Sequence, residues 1–311
     1  MKPVKIEHRA FGNTGLNVAV LGFGGSEIGY ERTDEAVVTR LLNAALDAGL
    51  NVVDTAECYI NSEEQIARAI GHRRKDFYLF TKCGHWVEDG RDKEWGWTKD
   101  GVLASIERSL RRLKTDYVEL VQLHSCPKEV LQKSNCIEGL EAAKKAGKTR
   151  FIGYSGDRQD ALYAVECGRF DTLQTSVNIA DQECIELFLP QAKERNMGVI
   201  AKRPIANAAW RHDQDPHDYG SVYWQRLQKL QYPFATGDAR SKQGPDGPVG
   251  VALRFTLQQP GVHVAIVGTS KPERWSQNAA LTQPGPLSPD QLKAIRDRWK
   301  AVALADWGGM T

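Results

Sequence analysis

Short apolar runs alternate with amphipathic stretches along almost the whole chain, and this alternation constrains the fold more than any other feature of the sequence. One run and the stretch that follows it take about 30 residues, which is the length of a βαβ unit. The apolar runs predict eight strands, at residues 18–22, 51–54, 77–82, 117–124, 149–154, 172–174, 197–201 and 264–267.

The stretches between these runs carry helix signals. Between Leu103 and Leu113, apolar residues stand three and four positions apart, which gives a helix one buried face. Ser62 with Gln65 predicts a capping box at the start of the second helix. Gly49 stands where the first helix is expected to end, just before a strand.

Eight units of strand and helix in a chain of 311 residues favour closure into a barrel. We therefore predict a (β/α)8 TIM barrel that forms a single domain over residues 1–311. Three segments interrupt the alternation: a Trp-rich insertion after the third strand, a long polar loop after the seventh, and a C-terminal extension with an extra helix. They cover residues 85–98, 207–247 and 287–311, and the extra helix is expected at 291–303.

A doubly wound open sheet shares the same alternation and is the alternative fold. Its dinucleotide-binding form should show the motif G-x-G-x-x-G after the first strand. The nearest match, Gly22-Phe23-Gly24-Gly25, lacks the third glycine at the required spacing, which favours the barrel.

Charge and cysteine content exclude several classes of protein. The 41 basic and 39 acidic residues are spread along the chain, without the concentrated basic face that nucleic-acid binding needs. No apolar run approaches the roughly 20 residues that span a bilayer, and the first residues lack the apolar part of a signal peptide. The six cysteines form no C-x-x-C pair, which is typical of a reducing compartment and argues against a zinc site. We expect a cytoplasmic protein that acts on a small molecule, with no nucleic-acid, membrane or metal partner; its oligomeric state stays open.

Polar side chains end three consecutive predicted strands, at Asp54, Lys82 and His124. Side chains alternate along a strand, so each of the three faces the same side as the residue two positions earlier. Parallel barrel strands deliver their last residues to one mouth, where polar residues indicate catalysis. Tyr59 follows Asp54 on the loop over this mouth, so we expect the four side chains to converge.

A phenol, an ammonium, a carboxylate and an imidazole suit the reduction of a carbonyl, which needs a hydride on carbon and a proton on oxygen. The pKa of a free tyrosine is about 10, and a neighbouring Lys82 ammonium is expected to lower the pKa of Tyr59. The Asp54 carboxylate would hold the ammonium in place, and His124 could orient the carbonyl oxygen. No side chain supplies a hydride, so a nicotinamide cofactor is required.

Each of these residues also has a purely structural explanation. Asp54 could cap a turn, Lys82 could be solvated, and His124 could be a hydrogen-bonded histidine of the core. Tyr59 could serve packing alone. The conjunction of all four on one face favours catalysis, because independent structural roles rarely assemble a complete set for proton transfer.

These residues, with their surroundings, resemble the aldo-keto reductase family. The resemblance is carried by the segments 54–59, 81–82 and 109–117, the last running into His124, and it covers about residues 6–305. It implies an enzyme that reduces aldehydes or ketones to alcohols by hydride transfer from NADPH, with NADH as the second choice. Tyr59 would be the general acid, and Asp54, Lys82 and His124 would complete the catalytic set.

The resemblance also implies a set of cofactor contacts. Ser155 and Gln174 match positions that hydrogen-bond the nicotinamide carboxamide. Arg274 would meet the 2′-phosphate, unless it is a solvated cation at the start of a helix, and Gln277 and Asn278 would meet the adenine. The remaining expected contacts are Gly24, Gly25, Lys202, Arg203, Pro204, Gly268, Thr269, Ser270 and Lys271.

At three places the chain departs from the family pattern. Gly156 replaces the asparagine that usually follows the serine of the fifth strand, and Gly268 replaces a frequent lysine. Lys202 and Arg203 stand where relatives place an aromatic ring against the nicotinamide, so one of these cations is expected to reach the pyrophosphate instead. The preference for NADPH then depends mainly on Arg274, assisted by Lys271 or Thr269.

Tryptophans in the irregular segments are the candidates for a substrate-binding wall. Alternatively, the tryptophans of a long loop form a small core of their own. Two other functions stay open: an NADPH-binding regulatory subunit on the same barrel, and a barrel lyase or isomerase without nicotinamide. The candidate substrate residues are Trp86, Trp95, Trp97 and Trp210.

Overall fold

A computed structural model describes residues 6–88, 91–93 and 96–310 of the chain, and for residues 86–88 and 91–93 it describes the backbone alone. Eight parallel strands close into a barrel, which confirms the predicted (β/α)8 fold and excludes the open sheet. In chain order the strands are β1 (His8–Ala10), β2 (Asn17–Ala19), β3 (Leu21–Gly24), β4 (Val52–Asp54), β5 (Tyr78–Cys83), β6 (Trp86–Glu88), β7 (Arg91–Lys93), β8 (Val118–His124), β9 (Thr149–Ser155), β10 (Thr172–Ser176), β11 (Gly198–Lys202) and β12 (Val264–Gly268).

The barrel consists of β3, β4, β5, β8, β9, β10, β11 and β12 in this order, and β12 pairs with β3 to close it. Seven of the predicted strands agree with the structure to within two residues. The predicted first strand at 18–22 is wrong. Val18 belongs to β2, which forms an antiparallel hairpin with β1, and the barrel strand begins only at Leu21. One uninterrupted apolar run spans both strands, so the pattern gives no sign of the break.

Helices follow the strands around the barrel. They are α1 (Ser26–Tyr30), α2 (Glu35–Asp47), α3 (Ser62–Ile70), α4 (Lys99–Leu113), α5 (Lys128–Lys133), α6 (Cys136–Lys145), α7 (Arg158–Glu166), α8 (Glu183–Leu187), α9 (Leu189–Glu194), α10 (Ser221–Leu230), α11 (Pro248–Leu257), α12 (Arg274–Thr282) and α13 (Pro289–Val302). The stretch predicted as a long loop at 207–247 contains α10, and α13 is the predicted C-terminal helix. Over the part of the chain that the structure describes, no helix is long and apolar enough to cross a membrane.

The helix ends show one correct and one wrong expectation. Gly49, with a φ of 105°, follows the end of α2 as predicted. The capping box of Ser62 and Gln65 is wrong, because the N-cap of α3 is Asn61. The Ser62 hydroxyl instead donates to the carbonyl oxygen of Gly25 at 2.7 Å, so this serine ties the helix to the first barrel strand.

The inside of the barrel is apolar at one end. Val52, Phe80 and Leu120 are fully buried there, and Phe11 from the N-terminal hairpin packs beneath them, with its ring centroid 5.8 Å from that of Phe80. Gly198 has no room for a side chain, because a Cβ would come within 2.8 Å of the Phe11 ring. Phe11 and these three residues close this end of the barrel. Side chains alternate along a strand, so the residues two positions further along also point inward and lie nearer the opposite mouth, as predicted.

Candidate active site

Asp54 and Lys82 form a buried ion pair at the carboxyl ends of β4 and β5, and each side chain is 1% exposed. The Lys82 ammonium donates to the Asp54 carboxylate and, at 2.9 Å, to the carbonyl oxygen of Thr55. The other carboxylate oxygen accepts from Gln174 Nε2 at 2.9 Å and from Gln122 Nε2 at 3.3 Å. These bonds hold the ion pair in one geometry. The sequence did not predict Gln122 as a residue of this site.

Tyr59 lies beside this pair. The Lys82 Nζ is 5.1 Å from the centroid of the Tyr59 ring, and the ring of His124 is 5.8 Å away in an edge-on arrangement. Tyr59 keeps part of its surface exposed, unlike Asp54 and Lys82, although its phenol group is surrounded by protein. The four side chains that the sequence predicted to converge are therefore neighbours in the structure.

The pKa of Tyr59 lies well above its ordinary value of 10, mainly because the phenol is buried. The neighbouring Cys58 and Asp54 side chains act in the same direction, and Arg203 opposes them. The expected net lowering of this pKa is thus wrong, because the effect of burial outweighs that of the nearby cations. The phenol keeps its proton at neutral pH, which is the state that a proton donor requires.

His124 is held in the uncharged form. Its Nδ1 lies 3.4 Å from the Cys58 Sγ, and its ring centroid is 4.9 Å from that of His85. Burial lowers the pKa of His124 well below 6.5, and the charges of Lys82, His85 and Lys202 act in the same direction. A neutral imidazole can donate one hydrogen bond and accept another, so it can bind a carbonyl oxygen without adding charge.

Ser155, the last residue of β9, pairs in register with Gln174 in the middle of β10. The Ser155 hydroxyl donates to Gln174 Oε1 at 3.0 Å, and the amide nitrogen donates to Asp54. These two bonds use one N–H and one lone pair of the amide, which has two of each. The departure at Gly156 has a steric reason, because a Cβ at this position would overlap the ring of Tyr154.

Lys202 and Arg203 are paired with a carboxylate that the sequence interpretation missed. The Lys202 Nζ lies 2.9 Å and the Arg203 guanidinium 3.6 Å from Asp157 Oδ2. Arg203 also donates to the Ser176 hydroxyl at 2.8 Å and to the carbonyl oxygen of Met310. Burial lowers the pKa of Lys202 to about 8, although Asp157 opposes this.

The glycine positions expected to meet the cofactor lie where β3, β4 and β12 end. Gly24 pairs in register with Gly268, and Gly25 packs against the Ser62 hydroxyl, where a Cβ would come within 2.7 Å. A Cβ on Gly268 would overlap the carboxylate of Glu27, so the end of this flexible side chain would have to move. After β12, the backbone N–H of Lys271 donates to the Thr269 hydroxyl at 3.1 Å, and Ser270 lies in this turn; Pro204 is buried after β11.

Three residues expected at the adenosine end of the cofactor share one cavity. Arg274, Gln277 and Asn278, from the first turns of α12, line a cavity of about 730 Å³. Trp210, from the segment after β11, also lines this cavity. A guanidinium and two side-chain amides in one cavity fit a phosphorylated adenosine.

The expected substrate tryptophans are buried where the structure describes them. Trp97 is 8% exposed and packs against Gly84, and Trp210 is 3% exposed in a cluster with Tyr223. Trp95 and the side chain of Trp86 lie outside the described residues. A role of these tryptophans in substrate binding stays a prediction.

A different aromatic residue lies next to the candidate general acid. Tyr30 is 57% exposed, and its ring centroid is 5.7 Å from that of Tyr59. Tyr30 follows the first barrel strand, β3, and a single tyrosine at such a position forms no motif from which its role could be predicted. Within residues 6–88, 91–93 and 96–310, no group of three or more histidine, cysteine, aspartate or glutamate side chains is arranged to hold a metal ion.

The fold and the site define an oxidoreductase of the (β/α)8 barrel class. The sequence model of the Aldo/keto reductase family matches residues 20–300, and the chain belongs to this family. It is 29% identical to the oxidoreductase YqkF of Bacillus subtilis, over 94% of this chain and 96% of that protein. It is 31% identical to L-galactose dehydrogenase of Arabidopsis thaliana, over 92% of each. Among solved structures, the holo form of the aldo-keto reductase AKR11C1 from Bacillus halodurans superposes with a TM-score of 0.81, at 26% identity, over 97% of this chain and 99% of that one.

Proposed function

We propose that this protein reduces aldehydes or ketones to alcohols with NADPH, and that Tyr59 is the general acid. The observation that carries the proposal is the position of the Tyr59 ring, 5.1 Å from the Lys82 Nζ and 5.8 Å from the His124 ring. A protonated phenol, a buried ammonium and a neutral imidazole at one barrel mouth suit the delivery of a proton to a carbonyl oxygen.

The residues of the chain fit a nicotinamide cofactor. Ser155 and Gln174 would hold its carboxamide, since a hydroxyl and an amide side by side offer donors and acceptors that complement a carboxamide. Arg274, Gln277 and Asn278 would hold the adenosine end, because they line one cavity. When bound, the nicotinamide supplies the hydride that no side chain can supply.

The side chains divide the remaining work. Tyr59 Oη donates its proton to the carbonyl oxygen, which is worth about 10²- to 10⁴-fold in rate for a positioned general acid. His124 donates a hydrogen bond to the same oxygen and fixes its position. The Lys82 ammonium stabilises the phenolate that Tyr59 becomes, and Asp54 holds Lys82 in place.

The same groups also support the reverse reaction, in which the phenolate accepts the proton of an alcohol. One relative is named L-galactose dehydrogenase, and this name supports including alcohol oxidation in the proposed function. We include small hydroxylated or carbonyl compounds as substrates, and NADH as the second choice of cofactor. All six cysteines are free thiols, which supports a cytoplasmic location.

A regulatory subunit that binds NADPH without turnover is the competing function. The buried ion pair argues against it, because taking Lys82 and Asp54 out of water costs free energy that binding alone does not require. Catalysis explains why these charges are retained next to Tyr59.

Steady-state kinetics on a panel of aliphatic, aromatic and sugar-derived aldehydes and ketones, with NADPH and NADH side by side, tests the proposal. We expect turnover of at least one class with NADPH, and loss of that turnover in Lys82→Met. Binding of NADPH without turnover of any substrate would favour the regulatory subunit. No binding of either nucleotide would favour a lyase or isomerase.

A further inference from the structure

Arg211 is a cation that the family resemblance does not assign to any role. It ends the helical turn Ala206–Arg211, in the segment after β11. Within this turn Asn207 and Ala208 both have a φ of 53°, a left-handed conformation that non-glycine residues adopt only under constraint. The neighbouring Trp210 is 3% exposed and anchors the turn in a hydrophobic cluster, so the position of Arg211 is fixed by its surroundings.

This turn places Arg211 on the cavity that Arg274 also lines. The two arginines come from segments more than sixty residues apart in sequence, and both line the cavity of about 730 Å³ with Gln277 and Asn278. Arg211 is exposed, and Arg274 is half-buried. The cavity is therefore lined by guanidiniums from two separate segments, and Arg240 and Lys242 line it as well.

Neither guanidinium has an acidic partner within the described part of the chain, whereas Arg240, which lines the same cavity, is paired with Asp213. Although Arg211 is exposed, part of its side chain is shielded from water; this shielding, and secondarily the charge of the nearby Arg274, lower the pKa of Arg211. Two neighbouring guanidiniums repel each other, and an anion bound between them relieves this repulsion. Phosphate is one of the anions that arginine binds with two parallel hydrogen bonds.

We propose that Arg211 is a second ligand of the 2′-phosphate of NADPH and, together with Arg274, determines the preference for NADPH over NADH. The inference rests on the proposed function and adds a specificity residue to it. Gln277 and Asn278 share the cavity and are expected to meet the adenine, so the bound anion lies beside the adenosine. A phosphate monoester carries about −1.5 to −2 charges at pH 7, which matches two guanidiniums better than one.

Isothermal titration calorimetry with NADP+ and NAD+ tests the inference, because neither probe requires turnover. Arg211→Gln should weaken NADP+ binding about ten-fold or more, the usual effect of removing a hydrogen bond to a charged group, and leave NAD+ binding unchanged. Arg211→Lys should recover only part of the loss, because a lysine cannot bind bidentately. Arg169→Gln is the matched control: Arg169 is exposed, pairs with Glu141 and precedes β10, at the opposite end of the barrel.

The pH dependence gives a second readout. The second pKa of a phosphate monoester is about 6, so the 2′-phosphate loses charge when the pH drops below this value. In wild type, the ratio of the NAD+ dissociation constant to the NADP+ dissociation constant should then decrease. In Arg211→Gln the ratio should change less. The inference is overturned if Arg211→Gln keeps the wild-type ratio while Arg274→Gln loses it, a result that leaves the proposed function intact. If wild-type protein binds neither nucleotide, the proposed function fails and the inference fails with it.

Discussion

Lys202 Nζ lies 2.9 Å from Asp157 Oδ2, so a residue just beyond β9 is joined to the last residue of β11 across the end of β10. The other oxygen of this carboxylate accepts from the Thr175 hydroxyl at 2.8 Å and from the backbone N–H of Ser176 at 2.7 Å. Asp157 thus cross-links three adjacent strands at the mouth of the barrel. It also balances the charges of Lys202 and Arg203, which stand where relatives place an aromatic ring.

Replacing Asp157 should therefore destabilise the barrel. Asp157→Asn leaves the mostly buried Lys202 without its carboxylate, and we expect a loss of about 3–5 kcal/mol in the free energy of unfolding. The double variant Asp157→Asn/Lys202→Met should be more stable than the single variant, because the unpaired charge is gone. Urea unfolding followed by circular dichroism measures both. A loss below about 1 kcal/mol for Asp157→Asn, a value typical of exposed pairs, would show that the link contributes little.

A buried carboxylate behind the site should make stability depend on pH. Glu63 is 1% exposed and accepts a hydrogen bond from the Thr81 hydroxyl at 2.8 Å, while its second oxygen lies 3.6 Å from the Arg112 guanidinium. Burial raises the pKa of Glu63 to about 7 from its ordinary 4.5. The folded protein then binds more protons than the unfolded chain between these values, so this group lowers the stability as the pH rises from 4.5 to 7.

Glu63→Gln removes this loss. The variant should gain stability over wild type as the pH rises, by up to about 3 kcal/mol above pH 7, and should differ little near pH 4.5. Thermal or urea unfolding at several pH values across this range provides the measurement. A difference between variant and wild type that does not change with pH would mean that Glu63 is charged throughout.

The pH dependence of catalysis should reflect the high pKa of Tyr59. Carbonyl reduction needs the protonated phenol, so its rate should stay level through neutral pH and show no fall from Tyr59 below pH 10. Alcohol oxidation needs the phenolate, so its rate should still rise with pH as pH 10 is approached. His124 is neutral above pH 6.5, so its protonation should cause no loss on the acid side down to that pH.

Profiles of kcat and kcat/KM in both directions check this expectation. A plateau of the oxidation rate that begins well below pH 10 would contradict it. That result would show that Lys82 and Arg203 lower the pKa of Tyr59 more than burial raises it.

The barrel and the central cluster could be predicted from sequence for a simple physical reason. Side chains alternate along strands, so Asp54, Lys82 and His124, each at the end of a strand, had to face one mouth once the sheet closed. Boundaries inside a continuous apolar run could not be predicted in this way. Val18 and Leu21 both belong to such a run, and only the pairing of Val18 with Arg9 shows that a hairpin precedes the barrel.

Other parts of the site were missed because their role depends on distant partners. Gln122 lies on a strand and looks like an ordinary polar residue until its amide is seen to donate to Asp54. Ser62 resembles a helix cap, but its hydroxyl donates to Gly25, far away in sequence. The sign of the shift in the pKa of Tyr59 depends on the balance between burial and charge, which strand alternation does not specify.

The comparison of wild type with Tyr59→Phe tests the central claim most directly, namely that the phenol beside Lys82 delivers the proton. Single-turnover reduction of a substrate found in the carbonyl panel should be slowed by about 10²- to 10⁴-fold in Tyr59→Phe, while NADPH binding by calorimetry stays at the wild-type value. A variant that binds NADPH normally and reduces the carbonyl at the wild-type rate would contradict the account.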